Sequence, residues 1–244
     1  MRALEEVVNA PGTSSPTDPG FRARGRRSAR ALAEAILPTS MVVWRGPEGR
    51  RRPLSFAAKP GRVALTFDDG PTPLTRDYLA VLERFGARAT FFVVGELCAE
   101  HPELVDAIRA AGHELAGHGY THRRFTELTT RELTDELDRT QTLLPQSTGR
   151  HALVRPPHGD VSMRSMLTCS RAGFTTVLWS LDSGDSRNKE ADAVERTFTE
   201  RAVGAGAIVL LHEGQTWTMN ALPTIVGTLE KAGHELVTVG ELLG

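Results

Sequence analysis

The stretch GRVALTFDDGPTPLTRDYLAVLERFGARATFFVV, residues 61–94, decides how this chain folds. It opens on a strand-length apolar run, Val63–Phe67, and breaks at Asp68, Asp69, Gly70 and Pro71. From Leu74 to Phe85 the apolar residues Tyr78, Leu79, Leu82 and Phe85 recur at spacings of three and four, one face of a helix. Gly86 follows, where a left-handed C-cap needs no Cβ. A second apolar run, Ala89–Val94, then begins. Strand, turn, helix, glycine and strand in that order make the repeating unit of a parallel sheet covered by helices.

The unit continues to the end of the chain. Further strand-length runs are Glu114–Ala116, Leu153–Arg155, Thr176–Ser180, Ala207–Leu211 and Glu235–Val239, and Gly112, Gly173 and Gly233 close the helical patterns before three of them. The segment Ala111-Gly112-His113-Glu114-Leu115 recurs as Ala232-Gly233-His234-Glu235-Leu236, one turn solution used twice. About seven units in about 180 residues predict a compact barrel-like α/β fold, with a doubly wound open sheet as the alternative. In both, the loops at the carboxyl ends of the strands hold the active site.

Composition narrows what such a fold is for. The 244 residues suit one folded domain, 61–244, behind an irregular Arg/Pro-rich extension, 1–60, with a short amphipathic helix over about 28–37. Lys+Arg 29 against Asp+Glu 30 gives no basic field, which argues against nucleic acid as a partner. Cys98 and Cys169 are too few for a disulfide scaffold and read as buried reduced thiols. No apolar run reaches the 18 or so residues of a transmembrane helix, and no export signal is evident, so a cytoplasmic location is expected. The Arg22–Arg30 cluster leaves peripheral contact with an anionic membrane as the lesser alternative.

Titratable side chains collect after five of the apolar runs: Asp68-Asp69-Gly70, His118-Gly119-Tyr120-Thr121-His122, Arg155-Pro156-Pro157-His158, Asp182-Ser183-Gly184-Asp185 and His212-Glu213. Adjacent carboxylates in extended chain point different ways and can serve different tasks. Two histidines four apart, read as one face of a helical turn, come within reach of one metal ion. Taken singly, each piece is ordinary turn or surface chemistry. Their joint placement at the same ends of successive strands is the signal.

Together these residues resemble the polysaccharide deacetylases of carbohydrate esterase family 4, from about Arg62 to Leu243. Thr66-Phe67-Asp68-Asp69-Gly70-Pro71 matches the first family motif without change. The second, His-Ser/Thr-x-x-His, is met with Gly119 in the Ser/Thr position; the third, Arg-x-Pro with an aromatic before Gly, with His158 as that residue. The fourth, Asp-x-x-Asp-Trp, has Ser186 for Trp, and the fifth is the strand Ile208–Leu211 ending in His212.

The resemblance implies a distorted (β/α)7-8 barrel and a divalent metal, zinc by default with cobalt or nickel as alternatives, held by Asp69, His118 and His122. It implies Asp68 as general base, His212 as general acid, Arg155 orienting Asp68, and Asp185 holding His212. A main-chain N–H near His158 would meet the oxyanion, with Pro157 and Leu210 beside the substrate. The implied reaction is removal of N-acetyl groups from amino sugars of a glycan or oligosaccharide by a metal-activated water. The alternatives are a deacylase of a small intracellular N-acylated metabolite or glycosyl intermediate, and a non-catalytic glycan-binding module. His101, His113, His151 and His234 read as structural, and Glu213 is assigned no role.

Overall fold

The computed structural model describes residues 41–44, 61–144 and 152–244; the helix expected over 28–37 and His151 lie outside them. In chain order the elements are β1 (Val42–Val43), β2 (Arg62–Gly70), α1 (Thr75–Arg84), β3 (Thr90–Val93), α2 (Gly95–Glu100), α3 (Pro102–Ala110), β4 (Glu114–Gly117) and α4 (Thr130–Leu143). There follow β5 (Ala152–Val154), a 3-10 turn (Pro157–Gly159), α5 (Met163–Arg171), β6 (Phe174–Val177), β7 (Leu181–Asp182), α6 (Ala191–Thr199), β8 (Ile208–His212), α7 (Thr216–Lys231), β9 (Glu235–Val237) and α8 (Val239–Leu243).

Every strand pair is parallel, in the order β1-β6-β5-β4-β3-β2-β8-β7, with β9 against the first half of β2. The chain itself shows that this sheet curls. Six strand spacings separate β6 from β7, roughly 29 Å across a flat sheet. Only residues 178–180 join those strands, a span of at most about 14 Å. The sheet therefore bends round into a distorted barrel, and the open-sheet alternative falls.

Strand parity sorts the core into two layers and aims the site. The residues Val63, Leu65 and Phe67 of β2 pack outward with Phe91, Val209 and Leu211, under α1 and α7 residues such as Tyr78, Leu82 and Ile225. Ala64, Phe92, Ala116, Leu153, Val177 and Ile208 form a second cluster in the interior of the barrel. Asp68, His118, Arg155 and His212 share the parity of Ala64, Ala116, Leu153 and Ile208 in their own strands, so each follows its strand inward.

The structure corrects several expected boundaries. β2 runs on through Asp68, Asp69 and Gly70, with its register against β3 shifting between Asp68 and Gly70. The run expected at 176–180 starts at Phe174 and stops at Val177, after which the chain leaves to form β7. The last strand stops at Val237, because Thr238 caps α8: its hydroxyl accepts from the Glu241 N–H while the Glu241 carboxylate accepts from the Thr238 N–H. Within the segment expected to be irregular, Val42 and Val43 are buried and pair with Thr176 and Val177.

Candidate functional site

The site is built from the ends of β2, β4, β5 and β8 and the loop after β7. Asp69 leaves the β2 ladder with φ 72°, so its carboxylate diverges from that of Asp68, which stays buried on the barrel side. His118 follows β4. The chain then makes an irregular loop to His122, with Gly119 at φ 79° and His122 at φ 57°. The helical turn expected from the four-residue spacing is absent; left-handed backbone brings the two imidazoles together instead. Among the described residues, the non-glycine positions with positive φ are Asp69, His122 and His158. Such conformations cost about 1 kcal/mol or more each, and here all three fall at one site.

Asp69 Oδ1 lies 3.4 Å from His118 Nε2 and 3.1 Å from His122 Nε2. The three donor atoms stand within 4.8 Å of one another, a spacing that fits one metal ion. His118 Nδ1 lies 2.7 Å from the Arg155 carbonyl oxygen. A carbonyl only accepts, so Nδ1 carries the proton and the Nε2 lone pair faces Asp69. Burial would raise the Asp69 carboxyl, but the neighbouring His118 and His122 imidazoles outweigh it and hold the group far below the usual carboxylate range. The Asp69 carboxylate is thus charged where a cation needs it.

Asp68 is held from the side. Arg155, completely buried at the end of β5, donates from Nη1 to Asp68 Oδ1 at 2.6 Å and to the Thr66 hydroxyl at 2.7 Å. Its Nε donates to the Val177 carbonyl at 3.2 Å and Nη2 to that of Leu178 at 3.3 Å, while the guanidinium lies 4.0 Å from the Phe92 ring centroid. Burial lowers the basicity of that cation, and Asp68 offsets this in part. Asp68 Oδ2 stands 3.7 Å from His118 Nε2.

On the adjoining strand β8, His212 pairs in register with Asp68. Its Nδ1 donates to Asp185 Oδ1 at 2.7 Å, and Asp185 Oδ2 accepts from the His212 main-chain N–H at 2.7 Å and the Thr218 hydroxyl at 2.9 Å. Burial alone would lower the His212 imidazole. The Asp185 hydrogen bond and charge, with Asp68 and Asp69, instead push it up to about 9. Asp182, the first carboxylate of its motif, is a turn brace, accepting from the Gly184 N–H at 2.8 Å and from Arg187 at 3.1 Å. Ser186 is exposed.

His158 is exposed with its ring centroid 4.8 Å from that of His122, edge to face. Partial burial, with His122 and Arg124 nearby, lowers its basicity. Pro157 is buried in the same turn, and Leu210 is buried two residues before His212 on the same side of β8.

Two buried carboxylates with no role expected from the sequence also belong here. Glu213 accepts from the Thr72 N–H and hydroxyl, each at 3.2 Å, and from the Thr75 hydroxyl, bracing the turn after Asp69. Its Oε2 has no partner among the described residues and closes against Gly70, where a Cβ would collide with it. Burial pushes this carboxyl up to about 7. Glu136, from α4, reaches the loop between His118 and His122.

A family model described as polysaccharide deacetylase matches residues 55–177, half of the sequence. The chain belongs to the polysaccharide deacetylase family. It is 34% identical over 199 residues to a chitooligosaccharide deacetylase from Bradyrhizobium, covering 74% of this chain and 90% of the relative. It is 30% identical over 239 residues to the peptidoglycan-N-acetylglucosamine deacetylase PgdA of Listeria monocytogenes. That match covers 97% of this chain but 48% of the relative, so the chain spans about half of that protein's length. A family 4 carbohydrate esterase from Streptomyces lividans, solved in complex with acetate, superposes with a TM-score of 0.67 at 35% identity, over 74% of this chain and 93% of the esterase. Among the described residues no helix is long and apolar enough to cross a membrane.

Proposed function

We propose that this polysaccharide deacetylase family member hydrolyses N-acetyl groups on the amino sugars of a glycan or oligosaccharide. One observation carries the reading: a carboxylate oriented by Arg155 and an imidazole charged by Asp185 sit side by side next to the Asp69, His118 and His122 donors. Relatives named for peptidoglycan N-acetylglucosamine and for chitooligosaccharide support an N-acetylated amino sugar as the substrate class.

Asp69, His118 and His122 would hold a divalent cation. One carboxylate and two imidazoles suit zinc, and cobalt or nickel are accepted by the same donors. When bound, such an ion supplies Lewis acidity for water and for the acyl carbonyl. Asp68 takes the proton of the attacking water through Oδ2, since Oδ1 is engaged by Arg155. In the 157–160 turn, proline has no N–H, and those of Gly159 and Asp160 bond to the Pro156 and Pro157 carbonyls. The N–H of His158 is therefore the donor offered to the carbonyl oxygen as its charge develops. His212 gives its Nε2 proton to the nitrogen as the C–N bond breaks, so the amine leaves neutral. One proton is taken and one given, and acetate and a free amine result.

Acetate release, assayed with and without chelator and with Asp68→Asn, tests the reading. Turnover that resists the chelator, or full activity in that variant, contradicts it. A second reading, a small intracellular N-acylated substrate, is favoured by Ser186, small and exposed where the family motif carries Trp, although Trp217 donates from Nε1 to the Asp185 carbonyl at 2.8 Å. Chitooligosaccharides of increasing length separate the two: kcat/KM rises with length for a groove and stays flat for a pocket.

A further inference from the structure

The loop 119–121 carries the chain from His118 to His122, and its polar backbone is accounted for from two sides. The carbonyls of Gly119 and Tyr120 accept from the N–H groups of Gly95 and Glu96, at the start of α2, each at 3.0 Å. The N–H groups of Tyr120 and Thr121 both donate to Glu136 Oε2, at 2.6 and 2.8 Å. The Thr121 hydroxyl donates to Glu136 Oε1 at 2.6 Å. A single carboxylate thus takes three hydrogen bonds from two consecutive residues of the loop, at a residue 5% exposed.

The loop has little else of its own to stiffen it. Gly119 carries no side chain, and a Cβ there would come within 3.2 Å of Phe125 and 3.4 Å of Glu136 Oε2. Gly119 takes its φ of 79° at little cost, but the 57° of His122 is a conformation an unrestrained chain would leave. Glu136 itself is fixed by its helix: Leu133, Leu137 and Thr140 bury the same face of α4, and the Arg139 guanidinium stacks 3.6 Å over the Tyr120 ring.

We propose that Glu136 is a positioning residue, the carboxylate that sets the separation and aim of His118 and His122. It touches neither imidazole; it acts through the backbone between them. This inference rests on the proposed metal-binding role of those histidines, and its test separates the two. Removing the carboxylate leaves two N–H groups and a hydroxyl without acceptors in a half-buried loop, so the histidines lose their preset spacing and bind a cation more weakly.

The experiment uses the full chain, stripped of metal, as wild type and as Glu136→Ala, Glu136→Met and Glu136→Gln. Two readouts are taken: Zn²⁺ affinity by competition with a chromophoric chelator, and amide hydrogen exchange of Tyr120 and Thr121 in the metal-free state. In Glu136→Ala, Zn²⁺ affinity should fall by about tenfold or more, the scale of outer-shell effects, and both amides should exchange faster. Glu136→Met keeps the volume and should do the same if the Ala variant fails to fold. Glu136→Gln should restore both readouts to within a few-fold, since an amide oxygen can take both N–H bonds and its NH₂ can donate to the Thr121 hydroxyl. A folded Ala or Met variant with wild-type affinity and unchanged exchange overturns the proposal, and so does a Gln variant as impaired as Ala. Wild-type protein that binds no Zn²⁺ contradicts the metal site itself; faster Tyr120 and Thr121 exchange in the variants would still uphold Glu136 as the brace of the loop.

Discussion

His118 follows β4 and His212 ends β8, with β3 and β2 between those strands, and each has Nδ1 bonded at 2.7 Å, yet the bonds prepare opposite chemistry. His118 donates to a main-chain carbonyl, that of Arg155, which fixes the tautomer without adding charge and leaves Nε2 as a lone pair. His212 donates to the carboxylate of Asp185, which holds the imidazole protonated, up to about 9, and makes Nε2 a proton donor. The charge of the atom at Nδ1, not the residue type, divides ligand from acid.

Breaking the ligand side should have the largest effect. His118→Ala removes a donor, and both Zn²⁺ binding and acetate release should disappear while circular dichroism stays unchanged. Next, His212→Asn should lower kcat by about 10²–10⁴-fold with Zn²⁺ stoichiometry intact, the split that separates acid from ligand. Loss of zinc in that variant would erase the distinction.

Asp185→Asn sharpens the comparison by making the partner of His212 as neutral as that of His118. NMR titration of the metal-free protein should show His212 titrating near 9 in wild type and well below it in the variant. The sign for stability follows from a raised folded-state value. The His212–Asp185 contribution is complete below about 6.5, the unfolded value, and declines as pH rises through about 9. The penalty of Asp185→Asn in denaturant melts should therefore shrink over that window.

Arg155→Met leaves the main-chain carbonyl that serves His118 and removes the side-chain partner of buried Asp68, along with the donors to Thr66, Val177 and Leu178. An uncompensated buried carboxylate costs about 3–5 kcal/mol, read as a lower denaturation midpoint. The smallest effect belongs to Glu213→Gln. A carboxyl raised to about 7 favours its neutral form in the folded protein, so wild-type stability falls as pH rises from about 4.5 through about 7. The Gln variant should flatten that slope.

Much of this was legible in the sequence. Apolar runs, separated by helical patterns that Gly86, Gly112, Gly173 and Gly233 close, marked the strand and helix alternation, and strand parity carries Asp68, His118, Arg155 and His212 inward. Two-residue strands such as Val42–Val43 and Leu181–Asp182 are too short to leave a pattern. The spacing of His118 and His122 suggested a helical turn, whereas Gly119 and a left-handed His122 bring them together by a loop. Glu136 left one trace: a charged residue inside the buried stripe Leu133, Leu137, Thr140 of α4. Its partners lie 15 and 16 residues back and are fixed only by the tertiary fold. Glu213, 141 residues from Thr72, is the same case at longer range.

The most direct test of the account is acetate release from an N-acetylated chitooligosaccharide as metal-stripped protein is titrated with Zn²⁺. Turnover should be absent at the start, rise with added zinc and level off near one equivalent per chain. Turnover in the stripped protein that zinc leaves unchanged would contradict it.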